Sequence, residues 1–132
     1  MLKFLQAAFL GLLMSLFVTA CGDNSNSPEH VAVAYMTHMT SGNVAEAFKL
    51  LDIPEQAKGR EAQIKGKLGA LTPAIKEAIA QRNGIKTIKA DKATKNEQGI
   101  YNVIVKVSYG DGSEESESIK VQDVSGTYLI KL

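Results

Sequence analysis

The apolar residues change their spacing after Gly84, and that change divides the chain into a helical part and a stranded part. Ser27 can cap a helix with Pro28 at its first position, where a missing N–H costs nothing, and Glu29 in its positive first turn. Val31, Ala34, Tyr35, His38 and Met39 then recur along one helix face, and Gly42 stops it. Asn43 is placed to cap a second, shorter helix, with Glu46 at the reciprocal capping position and Ala47, Phe48, Leu50 and Leu51 on its apolar side. After Asp52-Ile53-Pro54 the spacing predicts a third helix from about Glu55 to Ala70. Its stripe of Ala57, Ile64, Leu68 and Leu71 is weakened by Gly59, Gly66 and Gly69. Thr72-Pro73 reads as a fresh helix start, carrying Ile75, Ala78 and Ile79 to a stop at Asn83-Gly84.

Beyond Gly84 the period becomes two. Ile85 to Thr94 reads as a weak first strand. Between Ile100 and Tyr109 the pattern is clean: Tyr101, Val103, Val105, Val107 and Tyr109 share one face, with Asn102, Lys106 and Ser108 on the other. Tyr109-Gly110-Asp111-Gly112-Ser113 carries the Asp-Gly chemistry of a hairpin. The returning strand, Glu114 to Asp123, stays polar until Ile119 and Val121. A turn at Ser125-Gly126 leads to Thr127–Leu132, with Tyr128, Ile130 and Leu132 facing one way. Helices followed by an antiparallel meander predict an α+β domain, its N-terminal helices packed on one face of a sheet of about four strands, which the resemblance described below implies is curved.

The first 20 residues stand apart. They carry one charge, Lys3, and an apolar run from about Ala7 to Val18, shorter than the roughly 20 residues a membrane span requires. The organisation expected is therefore an export signal over residues 1–20, a polar tether over 21–27 and a single domain over 28–132. The chain has one cysteine, Cys21, at the end of that run, so no disulfide can form within it. Val18-Thr19-Ala20-Cys21 resembles the lipobox of bacterial lipoproteins, departing only in Val18, where Leu is commonest. That resemblance implies cleavage between Ala20 and Cys21, a diacylglyceryl group on the Cys21 thiol and acylation of the new amine. Each buried CH₂ contributes about 0.8 kcal/mol, so one chain binds reversibly and two or more anchor stably. Gly22 in place of Asp after the cysteine implies the outer membrane, facing the periplasm, in an organism with two membranes.

Processing also alters the charge. The chain has 15 basic and 14 acidic residues, and Lys3 is the one charged residue ahead of Cys21, so the remainder is formally neutral. Neutrality argues against a nucleic-acid partner, which wants a clustered basic excess. It also argues that acyl chains, not surface charge, hold the protein to a membrane.

The stretch SPEHVAVAYMTHMTSGNVAEAFKLLD, followed by a long helical segment and strands, is similar to small bacterial lipoproteins of the nuclear-transport-factor-like, or cystatin-like, superfamily. Many of these are domains of unknown function. The matching motif is Ala45, Ala47, Phe48, Lys49, Leu50, Leu51 and Asp52, residues of core and cap, so the resemblance implies a cone of sheet and helices without carrying a site.

Enzymes of that superfamily use a carboxylate or a His–Asp pair inside the cone, where an apolar setting raises a carboxyl pKa enough for proton transfer. The counterparts here would be His38, on the apolar face of the first helix, and Asp52. A lone histidine on such a face is more often a packed residue, and His30 in the first turn reads as solvated. Tyr101, Val103, Val105 and Tyr128 could line a small apolar pocket with His38, though alternating residues of this kind are more often plain core. Asp111, Glu114, Glu115 and Glu117 lack the spacing of a calcium loop and read as charges guarding an exposed strand against edge pairing. Neither a zinc cluster nor a phosphate loop is visible in the sequence, so no metal or cofactor is expected. The sequence thus predicts a non-enzymatic, lipid-anchored envelope protein that binds a small apolar ligand or an envelope protein partner. The alternatives are an isomerase- or dehydratase-like enzyme with His38 as base, and a pure interaction module using the outer sheet face or the edge from Glu114 to Glu117. A cavity holding His38 beside a carboxylate would favour the enzyme; a filled cone would favour binding.

Overall fold

The computed structural model describes residues 27–131; the export signal, Ala20, Cys21 and residues 22–26 of the tether lie outside them. Helix α1 (Pro28–Thr40) starts with Ser27, whose side chain accepts the His30 N–H at 3.1 Å, and with Pro28 at the first position. It ends at Gly42, with φ +81°, while the Asn43 N–H donates to the His38 carbonyl at 2.8 Å. That left-handed residue with its long return bond satisfies carbonyls the helix leaves open.

Helix α2 (Val44–Lys49) forms without a side-chain cap from Asn43. Glu46, expected to reach back to the cap, instead pairs with Lys49 at 2.8 Å. The chain leaves this helix before Leu50 and Leu51, which the sequence assigns to it. Leu51–Asp52 forms β1, and the Ile130 N–H donates to the Leu50 carbonyl at 2.7 Å. Burial explains the switch, because Leu51 is almost wholly covered as a strand residue beside Ile130.

A 3-10 turn (Glu55–Ala57) precedes α3 (Glu61–Gln81), a single helix with Pro73 inside it, where the sequence predicts two. A proline inside a helix removes one backbone bond, at a cost of about 3 kcal/mol. The helix continues because Ile64, Leu68, Thr72, Ile75 and Ile79 stay in phase across the proline, so one face keeps its packing throughout. That packing is light. The helix rests on α1 and α2, none of its residues is fully buried, and Leu71 is 52% exposed. It ends where expected, with the Gly84 N–H donating to the Ile79 carbonyl at 2.9 Å.

The strands are β2 (Ile85–Ala90), β3 (Thr94–Lys95), β4 (Tyr101–Tyr109), β5 (Glu114–Val124) and β6 (Thr127–Lys131). Their order is β1-β6-β5-β4-β2, with β3 also on β4. The expected meander is present, divided at its start because residues 91–93 separate β2 from β3. The short β1 adds a parallel edge, which makes the sheet mixed. Helix α1 crosses the inner face, where Val31 and Ala32 meet Val103, Val105, Ile119, Val121 and Ile130 in one core. At the far end the β4–β5 hairpin lies against the end of α3. The Gly110 and Asp111 N–H groups donate to the carbonyls of Gly84 and Arg82 at 2.8 and 2.9 Å.

Candidate functional site

The five positions read from sequence as a pocket are not gathered around a cavity. Val103 and Val105 are completely buried in the core between α1 and the sheet. Tyr101 and Tyr128 do meet, edge to face, with ring centroids 5.6 Å apart. A hydrogen bond with Tyr101, partial burial and nearby negative charge raise the Tyr128 pKa above its ordinary value. His38 lies toward the opposite end of α1 and lines neither concavity described below. Its side chain makes no hydrogen bond among the described residues, and its charge bears only weakly on Glu46. Asp52 accepts a hydrogen bond from Gln122 Nε2 across the sheet edge, which ties β1 to β5.

A second polar group, unforeseen in the sequence, closes the far end of the sheet. The Arg82 guanidinium stacks 4.8 Å over the Tyr109 ring and pairs with Glu115 at 3.2 Å. The Tyr109 hydroxyl donates to Glu115 at 2.9 Å. Burial, followed by the hydrogen bond and charge of Glu115, pushes the Tyr109 pKa above its ordinary value. Glu115 shares the inner face because it lies opposite Val107 in the ladder. All three side chains satisfy one another, which makes this group a brace between helix and hairpin.

One surface concavity is a groove of about 590 Å³ between the start of α1 and the outer edge of β2. Ser27, Glu29, His30 and Val33 form its helical wall; Ile88, Lys89, Ala90 and Lys92 form the other. The Glu29 carboxylate accepts the Ala93 N–H at 2.8 Å, which pins the first turn of α1 to the chain leaving β2 and fixes the groove's width at that end. A smaller concavity, about 220 Å³, lies beside the start of α3 at Ala57, Arg60, Gln63, Ile64 and Lys67.

The groove wall includes a free strand edge. β2 is the last strand of the sheet, paired on one side with β4. The Asp91 N–H donates to the Ile104 carbonyl of β4 at 2.9 Å. Backbone groups alternate in direction along a strand, so those of Lys89 also face β4 while those of Ile88 and Ala90 face outward. No other described residue bonds those outward groups. One signal for this was legible in sequence: lysine recurs at every third position as Lys86, Lys89, Lys92 and Lys95. A period of three fits neither a helix face nor a strand face, so it adds nothing to a core pattern. It does suit a charged edge.

Comparison with known proteins agrees with this architecture. A crystal structure from Campylobacter jejuni, provisionally described as an NTF2-like transpeptidase, superposes with a TM-score of 0.68 at 16% identity, covering 80% of this chain and 98% of that one. At that identity the likeness shows the fold, a nuclear-transport-factor-like half-barrel, as the sequence resemblance implied. No curated protein matches at a significant level. Residues 19–130 match the family described as a domain of unknown function (DUF4878), and over that span the chain belongs to it.

Proposed function

We propose that this chain is a lipid-anchored envelope protein whose NTF2-like domain binds a protein partner and does not turn over a substrate. The observation that carries the reading is the filled interior. Ala32, Val103, Val105 and Val121 have no exposed surface, and they belong to one core in which α1 packs on the inner face of the sheet. What the surface offers instead is an open groove beside an unpaired strand edge, a shape suited to a polypeptide. A small apolar ligand fits less well, because ligand pockets bury most of their guest inside a largely apolar cavity. A base at His38 would need a carboxylate or a substrate cavity within hydrogen-bond reach, and His38 sits at the α1–α2 corner. The anchor at Cys21 and an outer-membrane position facing the periplasm belong to the same proposal and rest on the Val18–Cys21 motif.

Two linked measurements test it. Metabolic labelling with a tagged fatty acid should mark the wild-type protein and fail on Cys21→Ser. Affinity purification after crosslinking in intact cells should recover a discrete protein partner from solubilised membranes. Labelling that survives Cys21→Ser removes the anchor. Repeated recovery of the protein alone removes the interaction role.

A further inference from the structure

We propose that the α1–β2 groove receives an extended, acidic segment of a partner protein, which adds to the sheet as a further strand beside β2. The inference rests on the interaction reading above and names its surface and chemistry. Three features converge on it. The outward N–H and C=O groups of Ile88 and Ala90 give a strand two donors and two acceptors to pair with. An incoming strand would lie between that edge and the helix wall at His30 and Val33. Helix and edge strand together define such a slot in other peptide-binding folds that work by strand addition.

Charge selects the occupant. Lys89 and Lys92 line the groove and are exposed, and Lys86 lies on the same strand. Against the two groove lysines stands one acid of the lining, Glu29, whose carboxylate is turned to the Ala93 N–H, while Asp91 pairs with Lys106 at 3.5 Å. Lysines on an edge discourage pairing with a second identical edge, because like charges opposite each other are unfavourable. The same lysines reward an acidic strand, each opposite-charge cross-strand pair contributing roughly 0.2–1 kcal/mol.

The test uses the chain from residue 21 onward carrying Cys21→Ser, isotopically labelled for amide spectra. The probes are two end-blocked peptides, one alternating Val and Glu, the other Val and Lys. The Val–Glu peptide should shift and protect the amides of Ile88 and Ala90, and the Val–Lys peptide should leave them unchanged. Binding should weaken as salt is raised. Ala90→Pro removes one outward N–H at an edge position that tolerates proline and should abolish the shifts. Lys89→Glu with Lys92→Glu, both at exposed sites, should weaken Val–Glu binding about tenfold or more and keeps the proposal testable if the proline variant unfolds. Equal binding of both peptides, shifts confined to another surface, or self-association through the groove would overturn it. So would equal recovery of a membrane partner by the wild type and the double-lysine variant, although the interaction reading would then survive. Peptide binding at the groove with no membrane partner recovered would support the surface and remove the reading above.

Discussion

Gly110→Ala gives the sharpest mechanical test of how the helical and stranded halves are joined. A Cβ at position 110 would stand 2.1 Å from the Asn83 carbonyl oxygen, 3.0 Å from its carbonyl carbon and 3.1 Å from its Cβ. The obstacle is mostly backbone, and Asn83 is itself held at φ +65° by the end of α3, so it has little room to yield. The hairpin must withdraw by about 1 Å to restore ordinary contact. That withdrawal breaks the bonds from the Gly110 and Asp111 N–H groups, now 2.8 and 2.9 Å long. Overpacking costs about 1–3 kcal/mol and each lost bond about 0.5–1.5, partly overlapping, for a total near 2–4 kcal/mol. For a folded unit of this size the melting temperature should fall by roughly 10–25 °C. Gly66→Ala is the control, since a Cβ there meets nothing within 4 Å on an exposed helix turn. It should stabilise by about 0.5–1 kcal/mol. Thermal and urea unfolding of both variants decide the matter. A Gly110→Ala protein within about 0.5 kcal/mol of wild type would refute the close approach.

Val105→Ala, at a position with no exposed surface, should destabilise by about 2–3 kcal/mol in urea unfolding. Glu29→Gln should loosen the first turn of α1 from the chain after β2, seen as faster amide exchange at Ala93 with about 1–2 kcal/mol of stability lost. Tyr109 should titrate above the ordinary tyrosine range, and Glu115→Gln should bring it down, measured by tyrosinate absorbance. Because its folded pKa lies above the unfolded one, its contribution to stability is complete below the ordinary tyrosine pKa and disappears as pH rises through the folded value. Alkaline unfolding should therefore be less steep in Tyr109→Phe.

Legibility followed the strength of periodic patterns. The α1 cap, the stop at Asn83-Gly84, the Ser125-Gly126 turn and the strand from Tyr101 to Tyr109 could all be read, because each is set by local chemistry. Leu51–Asp52 could not be assigned to a strand, since its partner Ile130 lies far along the chain and burial there outweighed a helical spacing. Pro73 marked a helix break on local grounds, whereas the phase of the stripe from Ile64 to Ile79 is a property of the whole face. The core was read more surely than the candidate site. The groove depends on which strand ends the sheet, and sheet order is a long-range fact. Aromatic and valine positions that a sequence offers as pocket or as core were resolved only by burial, which fills the interior with Val103 and Val105.

The central claim, that the groove beside β2 holds a protein partner in the envelope, is tested most directly by photo-crosslinking in living cells. A photoreactive residue at Lys92, on the groove wall, should give one discrete adduct of defined mass. The same residue at Ser116, on exposed β5 away from the groove, should give none. Absence of an adduct at Lys92, or equal and diffuse labelling from both positions, would contradict the account.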